Sequence, residues 1–182
     1  MRMILATTLS IAAFILSPAP TRAAGSDDSE PPTPTETSTE CEKGTVWDEK
    51  TQACVKADDT SLNDDQRFGA VRELAYAGRH DEALAILATM TEGETSRVMT
   101  YKGFLLRQTG RIEDGIAAYE RAIAMDPLNI LARSYYGQLL VQMDEIRLAE
   151  AQLDAIRSAG GTGSWAETAL ATAITTGVTY TY

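Results

Sequence analysis

The sequence predicts an all-α fold of stacked helix pairs, carried behind a small disulfide-closed hairpin. Three observations predict it. From Asn63 onward Gly and Pro become sparse and apolar residues recur at spacings of three and four, which is the helical period. The same region repeats itself at an interval of 34 residues, most clearly over Ser96 to Asn129. The chain's two cysteines, Cys41 and Cys54, stand close together upstream of the helical region. With 182 residues, 44% hydrophobic and 23% charged, the composition is globular and excludes disorder throughout.

Residues 1–23 read as a secretory signal peptide. Arg2 supplies a positive start, Ile4 to Leu16 is an uncharged apolar run, and Pro18 and Pro20 break it. Thirteen residues span roughly 20 Å as a helix, short of a hydrocarbon core about 30 Å thick, so the run is expected to be cleaved and not to anchor the chain. The favoured bond follows Ala23, with Thr21 as the small residue at the third position before it. Residues 24–40, rich in Ser, Thr, Pro and acid, are expected to form a disordered linker. The expected location is therefore periplasmic or secreted.

In an oxidising compartment Cys41 and Cys54 are natural partners. Gly44 can turn, Thr45 to Trp47 favour a strand and Asp48 to Thr51 favour a turn, so residues 41–56 read as a disulfide hairpin. Closing a loop of this size stabilises it by about 3 kcal/mol on the chain-entropy model. Ala57 to Ser61 reads as a short second joint. The spacing C-x-x-G-x-x-W-D-x-x-x-x-x-C resembles the core hairpin of small cysteine-stapled modules, among them the peritrophin-like chitin-binding family, which carries more disulfides in a longer domain. That resemblance implies a polysaccharide contact through Trp47, against the alternative that the indole packs on the disulfide.

The repeat starts from Ser96 as position 1. Gly103 then falls at position 8, Leu106 at 11, Gly110 at 15, Ile112 at 17, Tyr119 at 24, Ala122 at 27 and Pro127 at 32. This pattern resembles the tetratricopeptide repeat (TPR). A looser copy follows, with Gly137 at 8, Ile146 at 17, Ala149 at 20 and Leu153 at 24, and a shorter one precedes it from Asp64 to Thr95. Departures include Lys102 at position 7, Gly115 at position 20 and Asp144 where glycine usually turns the chain. A glycine inside a helix costs about 1 kcal/mol against alanine, so Gly103 and Gly137 make sense where two backbones approach closely. Helices are expected over 63–77, 80–91, 96–109, 112–125, 129–142 and 146–158. The resemblance implies a right-handed superhelix of about three helix pairs within a repeat domain at 62–176. Ser164 and Glu167 form a capping box that opens a seventh, capping helix. The tail, 177–182, has strand-like composition, but no alternating strand pattern precedes it, so a membrane barrel is not indicated.

The family's groove lies on the first helix of each pair, at positions 2, 5, 9, 12 and 13. By resemblance these are Phe68, Arg72 and Tyr76, with Asp65 and Ala75, in the first copy. The middle copy gives Arg97, Thr100, Phe104, Arg107 and Gln108, and the third Leu131, Ser134, Gln138 and Gln142, with Val141. Three arginines on one wall would attract an acidic segment or a carboxylate, unless each pairs with a neighbouring acid. The Lys and Asn of the family's carboxylate clamp are absent.

A net charge of −10 with no local basic patch argues against nucleic acid. The single imidazole, His80, falls in a turn before a helix, and the acid pairs lack calcium-loop spacing, so no catalytic residue, metal site or cofactor is indicated. The chain reads as a non-enzymatic scaffold binding a partner protein or peptide. The alternatives are a cell-envelope polysaccharide binder using Trp47, and a groove filled by the chain's own tail or by a second copy.

Overall fold

A computed structural model describes residues 41–182; the expected signal peptide and linker lie outside the described residues. Strands β1 (Thr45–Asp48) and β2 (Ala53–Lys56) pair antiparallel, with Val46 opposite Val55 and Trp47 opposite Cys54. The Cys41–Cys54 disulfide closes them. Asp48, fully buried, shapes the turn by accepting from Lys50 N–H at 3.0 Å and from the Thr51 hydroxyl at 2.9 Å. These bonds hold its carboxyl below the ordinary range, the Lys50 amide contributing most.

Seven helices follow: α1 (Asp64–Tyr76), α2 (His80–Leu87), α3 (Ser96–Gln108), α4 (Ile112–Met125), α5 (Ile130–Gln142), α6 (Ile146–Ser158) and α7 (Trp165–Thr176). They pair as α1 with α2, α3 with α4 and α5 with α6, while α1, α3, α5 and α7 form a row in which each touches the next. One continuous core runs from Val46 in β1 to Leu139 in α5, and a second cluster joins α5, α6 and α7.

Three expectations need correction. Helix α2 stops at Leu87, short of residue 91, because competing polar groups capture the chain beyond it. Thr89 donates its hydroxyl to the Ile86 carbonyl at 2.7 Å, and the Asp64 carboxylate takes the Thr91 and Glu92 amides at 2.9 and 2.6 Å. The segment 57–61 is not a joint. Ala57 is buried, and Arg67 of α1 donates to the carbonyls of Ala57 and Asp59, each at 2.8 Å, so the hairpin is fastened to the first helix pair. The capping box of α7 is half formed. Ser164 accepts from the Glu167 amide at 3.2 Å, but the Glu167 carboxylate reaches Gly163 N–H at 2.8 Å instead of the cap residue's own amide.

The close approaches fall at the predicted glycines. Gly103 faces Tyr119, the position-24 residue of its own copy, whereas Gly137 backs onto Leu170 of α7, not onto Leu153. The capping helix thus supplies the filler that a further repeat would have given. Gly110 turns between α3 and α4 with φ +79°, and Asp144 adopts the same left-handed conformation, φ +62°, between α5 and α6.

Candidate functional site

Helix α7 ends on Gly177, whose φ of +73° redirects the chain, and the tail returns across the row of first helices without entering helix or strand. Its course is fixed at Tyr180. The Tyr180 N–H donates to Gln138 Oε1 at 2.8 Å, and its carbonyl accepts from Arg107 Nη2 at 3.2 Å and Gln108 Nε2 at 3.3 Å. Gln142 Nε2 adds a 2.7 Å bond to the Thr179 hydroxyl. A main-chain unit is thus read on both its donor and its acceptor.

The polar row is built on buried supports. Gln138 is fully buried, and its amide also donates to Ser134 Oγ at 3.3 Å. Arg107 is 4% exposed and donates to Gln142 Oε1 at 3.0 Å and to the Tyr135 carbonyl at 3.4 Å. Among the described residues no carboxylate forms an ion pair with it, and amide and carbonyl oxygens accept from this buried cation.

An aromatic wall adjoins this row. The Tyr182 ring packs 5.2 Å from Phe104, 5.9 Å from Tyr76 and 6.4 Å from Trp165, and its hydroxyl hydrogen-bonds that of Tyr135. Tyr180 meets Trp165 at 5.2 Å. Burial, with neighbouring tyrosines adding to it, raises the Tyr135 pKa well above its ordinary value, and burial does the same at Tyr182, so both hydroxyls stay protonated. His80, the first residue of α2, presents its ring edge to Phe104 at 6.1 Å and lies against the Thr181 backbone; burial depresses its pKa.

The predicted residues divide by position. Those that meet the tail, namely Tyr76, Phe104, Arg107, Gln108, Gln138 and Gln142, all come from positions 9, 12 and 13, in the second half of their helices. Position 5, and Leu131 at position 2, serve interhelix packing instead, while Asp65 at position 2 is exposed. Phe68 packs edge-on against Tyr101 at 5.1 Å, Thr100 accepts from Asn129 at 3.1 Å, and Leu131 and Ser134 are buried. Arg72 and Ala75 are also buried, and Val141 belongs to the cluster with α6 and α7.

The three arginines do not form one patch. Arg97 and Arg107 lie ten residues apart on α3, about 15 Å along the axis. Arg97 pairs with Glu92 and Asp65, each at 2.8 Å, and sits 4.9 Å over the Phe68 ring. Those hydrogen bonds, Glu92 foremost, raise its pKa. Pairing with a neighbouring acid therefore describes Arg97 and not Arg107.

Tyr135, Trp165 and the tail tyrosines are members of the site that the repeat positions did not mark. Trp165 reads from sequence as a packing residue, and only the tail's return gives it a second role. Trp47 is half-buried on the strand face opposite to buried Val46 and Asp48.

The tetratricopeptide repeat family model matches residues 106–171, from the end of α3 into α7. Over those residues the chain is similar to tetratricopeptide repeats. No curated protein and no solved structure matches it. The match covers the α4, α5 and α6 helices, and it includes all four polar residues that hold the tail, Arg107, Gln108, Gln138 and Gln142. Among the described residues no helix is long and apolar enough to cross a membrane.

Proposed function

We propose that this protein is a non-enzymatic interaction scaffold of the periplasm or the extracellular space. It holds a short linear segment of a partner protein on the concave face lined by α3 and α5. The observation that carries this reading is the pair of contacts at Tyr180, where Gln138 takes the main-chain N–H while Arg107 and Gln108 take the carbonyl. Main-chain recognition gives affinity to any segment that fits, and side-chain pockets beside it give specificity. The Cys41–Cys54 disulfide supports an oxidising compartment.

Site-specific photo-crosslinking in the producing cell tests the reading. A crosslinker in place of Gln108 is expected to trap a partner protein that the same group in place of exposed Arg147, on α6, does not. Identical products from both positions would remove the α3–α5 face from consideration.

A further inference from the structure

We propose that Val178–Tyr182 is a built-in competitor for this groove, and that the external ligand is a short linear segment bearing two aromatic side chains two residues apart, as Tyr180 and Tyr182 are. The inference rests on the preceding reading of the α3–α5 face as a peptide site and adds what it takes and how access is controlled.

The groups that hold the tail cannot be left empty without loss. Gln138 is fully buried with its Oε1 aimed at a main-chain N–H, and Arg107 is a buried cation that uses the Tyr180 carbonyl as one of its acceptors. Phe104 and Tyr135, both fully buried, form the floor under Tyr182. Without an occupant the face would expose an apolar floor and give up the ordered hydrogen bonds that Gln138 and Arg107 make to the Tyr180 main chain. An occupied face is therefore favoured over an open one, whether the occupant is the tail or something chemically like it.

The tail itself is suited to leave. Val178 is 68% exposed and Tyr180 43% exposed, so the segment is laid on the surface and not enclosed. None of its residues takes part in helix or strand pairing, and Gly177 provides a backbone pivot at the end of α7. A tether of a few residues keeps its effective concentration in the millimolar range. A partner segment must overcome that local concentration, so weak or poorly matched segments are excluded while a closely matched one enters. Thr179, before the first tyrosine, meets Gln142, and Thr181, between the two, is exposed, so the aromatic pair and the Tyr180 main chain carry the recognition.

The probe is an acetylated, amidated and fluorescently labelled peptide, Gly-Val-Thr-Tyr-Thr-Tyr, and binding is read by fluorescence anisotropy with the full chain. Binding to Tyr180→Ser/Tyr182→Ser is expected to be at least tenfold tighter than to the wild type, and Gln138→Leu in that background should abolish the gain. A peptide with both tyrosines changed to serine should not bind. Equal affinity for wild type and double variant, or no binding to a folded double variant, overturns the proposal.

Should the double variant fail to fold, a second variant decides. Ten Gly/Ser residues inserted between Gly177 and Val178 keep every docking side chain and dilute the tail, so peptide affinity should rise several-fold. No rise overturns the proposal. A crosslinked partner at Gln108 that persists while the peptide fails would leave the scaffold reading standing and remove only the tail's role.

Discussion

Gly103 of α3 lies directly against the ring of Tyr119 of α4, so close that a Cβ built on the glycine would fall 2.7 Å from two ring carbons. Tyr119 is itself fully buried, so its ring has no free space to retreat into. Gly103→Ala is expected to destabilise the chain by about 2 kcal/mol through overpacking, despite alanine's better helix propensity. Gly69→Ala in α1 is the control. Nothing lies within 4 Å of its added methyl, and it should gain about 0.5–1 kcal/mol. Urea denaturation of both variants checks the pair, and equal effects would contradict the close-approach explanation.

Asp144 occupies the turn in which Gly110 stands one repeat earlier, and its φ of +62° is a conformation that an L side chain resists. Asp144→Gly should therefore raise stability by about 0.5 kcal/mol, the relief of backbone strain exceeding the extra flexibility of glycine in the unfolded chain. A thermal midpoint unchanged or lowered would show that the aspartate side chain contributes something that the backbone geometry does not reveal.

Asp64 ties the start of α1 to the loop before α3 by accepting from Thr91, Glu92 and Arg67. Burial pushes its carboxyl up, but these bonds outweigh it and hold the pKa below the ordinary value. A depressed carboxylate stabilises the fold at neutral pH and loses that contribution as pH falls through its folded-state pKa. Asp64→Asn is expected to cost about 1–2 kcal/mol at pH 7 and to flatten the acid side of the stability curve. Denaturation midpoints measured from pH 7 down to pH 3 test both parts.

The hairpin shares the core of the helices through Val46, which is 2% exposed. Cys41→Ser/Cys54→Ser should therefore lower the helical unfolding transition, followed by circular dichroism at 222 nm, by up to about 3 kcal/mol. A hairpin that merely hung from the repeats would leave that transition where it is.

Much of the helical architecture was legible because its causes are local. The three-and-four periodicity, Gly110 in the turn, and the small residues at position 8 placed α3, α4 and α5 within a residue or two of their observed ends. Helix α2 was overextended because the residue that ends it, Asp64, lies 27 positions before Thr91. Of the candidate site, the six residues at positions 9, 12 and 13 were legible through the repeat, since that register fixes which side of a helix faces the neighbouring row. Their occupant was open, because Tyr180 and Tyr182 have no periodicity to betray a binding surface.

The sequence alone determined that the chain packs as helix pairs, where each pair forms and where glycine lets backbones touch, because each of these follows from spacing within about one repeat. Only the tertiary structure decided that the tail, and not solvent, meets Arg107 and Gln138. That contact joins residues 42 and 73 positions apart, and a pairing over such a separation depends on the accumulated geometry of every helix between them.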